Sequence, residues 1–73
     1  MISDKKTAKS ISDLMLDCGR RIDDSINAVN ENCTPEEFQA YRRAAGKVMG
    51  SILIEVLNPL YEAHPDIKPS EMK

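Results

Sequence analysis

The sequence predicts an all-α fold, an antiparallel two-helix hairpin that dimerises into a four-helix bundle. Three observations lead there. Apolar residues recur at helical spacing in two segments, a strong helix-start signal separates the segments, and the two apolar stripes match when the chain is folded back at that signal.

The first stripe is Ile11, Met15, Cys18, Ile22, Ile26, Val29 and Cys33, in steps of three and four residues. That period places every member on one helical face and predicts a helix over about residues 5–31. Ser10 with Asp13 imitates a capping box, but Ser3 or Asp4 caps a longer helix through Lys5, Lys6 and Ala8, and the longer helix is preferred. Asn30-Glu31-Asn32 is expected to end it, because asparagine tolerates the left-handed conformation common at helix C-termini.

Thr34-Pro35-Glu36-Glu37 is the strongest local signal in the chain. Threonine at the N-cap, proline at the first position and Glu37 at the third satisfy otherwise unpaired amides, and two carboxylates meet the positive end of the helix dipole. Phe38, Tyr41, Ala45, Val48, Ile52 and Val56 then mark one face of a second helix over about 35–57. Asn58-Pro59 predicts a kink or a short extra turn near 59–63, since proline lacks an amide hydrogen and its ring clashes with the carbonyl four residues back. The hairpin is assigned to 1–65, and the polar, proline-punctuated 66–73 reads as a flexible tail.

A connection of a few residues around Cys33 and Thr34 folds the helices back on each other, so facing residues have numbers summing to about 67. Val29 then meets Phe38, Ile26 Tyr41, Ile22 Ala45, Cys18 Met49, Met15 Ile52, Leu14 Leu53 and Ile11 Val56. Asp24 falls at the height of Arg43, with Asp23 and Arg20 nearby, which predicts an exposed ion-pair cluster.

At 100° per residue, the apolar arc of the second helix widens to roughly 180° between Val48 and Leu60, more than one partner helix covers. Leu16, Met49, Leu53, Leu57 and Leu60 are therefore assigned to an interface, most simply with a second copy in a four-helix bundle. Gly46 and Gly50 form a GxxxG pattern with Gly19 almost opposite Val48, which favours a close helix crossing over a ligand.

Composition narrows the function classes. With 73 residues, 12 acidic against 10 basic side chains and 41% apolar residues, the chain is one small domain whose core is marginal without a partner. Each half carries half of the acids and half of the bases, so there is no basic arm for nucleic acid. Arg20, Arg21, Arg42, Arg43 and Lys47 fall at similar heights and form a polar contact surface, but Asp17, Asp23 and Asp24 are interleaved with them. Nucleic acid is accordingly the weakest of the partner assignments. Cys18 and Cys33 match no zinc spacing and, on one helix, stand roughly 22 Å apart, beyond reach of a disulfide. Adjacent acids such as Asp23-Asp24 diverge on a helix, and His64 lacks a positioned partner, so neither a metal, a cofactor nor a catalytic group is assigned. Tyr41 and Tyr61 are expected at core edges with wet hydroxyls. The absence of a long apolar run and of an apolar segment after Met1-Ile2 makes the cytoplasm the expected location.

The functional expectation is a non-catalytic helical interaction or regulatory module that self-associates through its second helix. The competing class is a small adaptor, inhibitor or immunity-type subunit that binds a different protein through the same apolar face.

Overall fold

In a computed structural model of the protein, which describes residues 1–70, the first helix begins with a cap at Asp4. The carboxylate of Asp4 accepts the Thr7 backbone N–H at 2.8 Å and the Thr7 hydroxyl, and these bonds hold its pKa below the ordinary carboxylate value, the hydroxyl contributing most. Helix α1 then runs Lys5–Asn32, the longer of the two predicted starts. It does not end through a left-handed asparagine, because no described residue has positive φ. Cys33 turns to an extended conformation, its N–H donating to the Val29 carbonyl at 3.0 Å, and the Asn32 side-chain amide donates to the Ala28 carbonyl at 2.8 Å. With free carbonyls paired in this way, the left-handed turn is unnecessary.

The capping box at Thr34 forms as expected. The Glu37 N–H donates to the Thr34 hydroxyl at 3.2 Å and the Thr34 N–H donates to the Glu37 carboxylate at 2.9 Å, which lowers the Glu37 pKa chiefly through that backbone bond. Helix α2 spans Pro35–Ser51, a π-helical segment follows over Ile52–Leu57, and α3 continues over Asn58–Ala63. Proline at 59 explains the wider turn. It offers no N–H to the carbonyl four residues back and would press its ring against it, whereas i→i+5 bonding, seen where the Asn58 N–H donates to Leu53 O, makes room without breaking the rod.

The π segment has a rotational consequence. Six residues at more residues per turn lag an α-helix by about one position, roughly 100°. Leu57, Leu60 and Tyr61, which an unbroken α-helix would carry to the side, are instead turned onto α1 and buried, with Leu60 at 0% exposure. The interface assignment of Leu57 and Leu60 is therefore corrected: both belong to the protomer's own core. Ala8 and Ser12, one turn apart on α1, are buried as well, and Ser12 meets Tyr61. The Tyr61 hydroxyl bonds the buried Ser12 hydroxyl at 2.6 Å, so this tyrosine is not the wet-edged residue expected. Tyr41 is: it is exposed, and its hydroxyl donates to Ser25 Oγ at 2.7 Å while Ser25 itself donates to the Ile22 carbonyl. That Ser25–Tyr41 contact keeps the predicted antiparallel register.

The two ends of the chain meet at the open end of the hairpin. His64 Nε2 lies 2.6 Å from the Ile2 carbonyl, Pro65–Ile67 forms a 3-10 turn, and Lys5 pairs with Asp66, whose pKa is lowered chiefly by that bond. Asp66 and Ile67 thus belong to folded structure and not to a tail; residues 71–73 lie outside the described residues. Among the described residues the other ion pairs are Lys9–Asp13 and Arg20–Asp17, so the expected Asp24–Arg43 pair does not form. Arg43 turns to a hollow that it lines with Ile26 and Gly46, and Asp24 does not line that hollow. All described regular structure is helical, and none of it is long and apolar enough to cross a membrane.

Two outcomes follow from these bonds. Tyr61→Phe is expected to lower unfolding free energy by about 1–3 kcal/mol by leaving the Ser12 hydroxyl without its partner, and adding Ser12→Ala to recover part of the loss, measured as a double-mutant cycle in urea. Asp4, Glu37 and Asp66 all have depressed folded-state pKa values, so their contribution is complete above the unfolded values, near pH 4 to 4.5, and is lost as pH falls through the folded ones. The thermal midpoint should be level from neutral pH to about pH 5 and drop below it, with a shallower drop in Glu37→Gln.

Candidate interaction groove

Once Leu57 and Leu60 turn inward, the surface beside the seam is defined by what α1 and α2 leave uncovered. A shallow hollow of about 430 Å³ lies between them, lined by Leu16, Gly19, Met49, Gly50 and Leu53, with Leu57 also on its wall and Arg20 at its rim. Leu16 and Met49 are half-buried, and Leu53 is 40% exposed. Four of the five residues assigned to an interface from sequence therefore line one open apolar groove, Leu16, Met49 and Leu53 with the largely buried Leu57, and Leu60 does not.

A second hollow, about 470 Å³, is lined by Ile26, Gln39, Arg42, Arg43 and Gly46. Gly46 and Gly50 are four apart on one helix, and Ile26 and Gly19 seven apart on the other, so both hollows lie on the same flank, one after the other. The flank is polarised. Its half towards the loop carries Arg42 and Arg43; its centre is apolar. Arg42 Nη1 reaches Gln39 Oε1 at 3.4 Å, and no carboxylate lines this basic hollow. Arg20, by contrast, is engaged by Asp17, and Arg21 and Lys47 are exposed but line neither hollow. The predicted five-residue polar surface is thus divided: Arg42 and Arg43 act together, Arg20 borders the apolar groove, and Arg21 and Lys47 stand apart.

The glycines do not serve a crossing within the hairpin. A methyl group built on Gly19, Gly46 or Gly50 meets nothing within 4 Å, so the close-crossing reading is not met by the chain's own helices. Each helical glycine still costs up to about 1 kcal/mol relative to alanine. What the glycines do create is relief: they hollow the same flank on which Leu53 protrudes. The sequence showed the glycine pattern but not that all three share this flank, which depends on how the helices are rotated about one another.

Cys18 is half-buried and Cys33 exposed at the hairpin tip, both as free thiols. Among the described residues no group of three or more histidine, cysteine or acidic side chains converges as a metal site would. No protein-family model matches the chain, and no curated protein or solved structure is significantly similar to it.

Gly46→Ala is expected to raise unfolding free energy by about 0.5–1 kcal/mol in dilute protein, since the new methyl meets only open space within the chain. Urea unfolding checks this, and a loss of stability would show that something else packs there.

Proposed function

We propose that the protein is a small non-catalytic helical interaction module that self-associates through the Leu16–Met49–Leu53 groove, two hairpins forming a four-helix bundle. The observation that carries this reading is the open apolar groove on a hairpin too thin to cover it. The chain exposes 5320 Å², whereas a compact protein of its 8.2 kDa exposes about 4500 Å². The excess, about 800 Å², is close to what each partner contributes to a standard interface. The radius of gyration, 14.5 Å, points the same way, since a compact domain of 73 residues has about 11 Å. With extents of 44 × 20 × 16 Å, the protomer has the proportions of half a bundle, and a partner that covers it must be of similar length. A second copy meets that requirement. Two unpaired thiols suit a reducing compartment such as the cytoplasm.

Sedimentation equilibrium with reductant, over about a hundredfold range of concentration, should return twice the chain mass. Leu53→Asp should reduce it to the single chain with helicity retained, because a buried unpaired carboxylate opposes association while Leu53 is 40% exposed in the protomer. A wild-type chain that remains a folded monomer throughout overturns self-association and directs attention to a different protein in the same groove.

A further inference from the structure

We infer that the basic hollow in the loop half of the flank binds the phosphate group of a small-molecule phosphate monoester, held by the guanidinium groups of Arg42 and Arg43. The site does not rest on self-association. One chain builds it, α2 supplying the arginines, Gln39 and Gly46, and α1 supplying Ile26.

Charge singles out these two arginines. Other cations are answered by the chain itself: Lys9 by Asp13 one turn on, Arg20 by Asp17 one turn back, and Lys5 by Asp66. On α2 no acid stands three or four residues from Arg42 or Arg43, where side chains on one helix meet; those positions hold apolar residues, Gly46, Gln39 and Lys47. Asp23 and Asp24 of α1 do not line the hollow, and among the described residues neither arginine forms an ion pair. Two guanidiniums that stay charged at any physiological pH thus share one hollow with no anion between them. An external anion relieves their repulsion and gains both attractions.

Hydrogen bonding and shape narrow the anion. Arg42 Nη1 reaches Gln39 Oε1 at 3.4 Å, a long contact that leaves the rest of its planar fork of donors open, and Arg43 adds a second fork. A carboxylate, with one charge and two oxygens, matches one fork. A phosphate monoester near neutral pH carries close to two charges and three acceptor oxygens, which match both. The hollow, about 470 Å³, is of small-molecule size. A methyl group on Gly46 would meet nothing within 4 Å, so the α2 backbone is open to close approach, and Ile26 offers an apolar wall to the organic part of the ester.

Phenyl phosphate is the probe. Titrated at about pH 7 and constant ionic strength, it should move the NMR signals of the Gly46 amide and the Arg42 and Arg43 Nε–H groups along one saturating curve, in the wild type and in Leu53→Asp alike. Replacing both arginines by glutamine should weaken binding about tenfold or more, and replacing both by lysine about threefold, because lysine keeps the charge and loses the fork. Arg21→Gln with Lys47→Gln removes the same charge outside the hollow and should change affinity by less than about twofold, since exposed charges at a distance are screened. All four substituted side chains are exposed, so circular dichroism should show unchanged helicity. Shifts that never saturate, or equal weakening by the Arg21 and Lys47 changes, overturn the site. Equal affinity for phenylacetate or for inorganic phosphate overturns its assignment to a phosphate monoester. Binding in Leu53→Asp but not in the wild type means that a second copy fills the hollow, which overturns the site and leaves self-association standing.

Discussion

Pro59 cannot donate a hydrogen bond, and the chain answers by widening one helical turn before it. That local concession sets the rotation of everything that follows. Because Ile52–Leu57 is π-helical, Leu57, Leu60 and Tyr61 turn inward towards α1, where Tyr61 meets Ser12, and most of the buried residues among those described gather at that end. Without the rotation Leu60 would stand beside the seam, and Ser12 would lose the hydroxyl that satisfies it in the interior. The clasp at the open end, His64 on the Ile2 carbonyl and Lys5 on Asp66, depends on the same rotation because His64 and Asp66 follow the π segment.

Burial is concentrated at that end. Towards the loop the seam holds Ala45 fully, with Ile22, Ile26, Val29 and Phe38 half-covered, so the hairpin there relies on local devices: the Thr34–Glu37 capping box and the Ser25–Tyr41 hydroxyl contact. Two helices have no third element to shield their flanks. The glycines deepen that exposure on one flank, and the groove, the excess area and the elongated shape are three expressions of a single condition, two helices with no third layer against them. Self-association through this flank would supply the missing layer and give the glycines a role that the protomer does not.

Helix positions, the start at Asp4, the capping box and the antiparallel register were all legible in the sequence, because each is encoded by residues three or four apart or by the shortness of the loop. Part of the groove was legible too, since Leu16, Met49 and Leu53 stand off the main stripes. Leu57 and Leu60 were misplaced for a definite reason: 100° per residue was carried through a segment that turns more slowly. The Asp24–Arg43 pair failed because equal height along a hairpin does not put two residues on the same flank: Arg43 lines a hollow with Ile26 and Gly46 that Asp24 does not line. Tyr61, Asp66 and the end of α1 were settled by bonds to Ser12, Lys5 and Ala28 that local pattern does not single out. Capping and periodicity are short-range and survive in any arrangement of the chain. The twist chosen near Pro59 is a compromise between a missing amide and burial against α1, many residues away, so which leucines became core and which remained exposed was decided only when the two helices met.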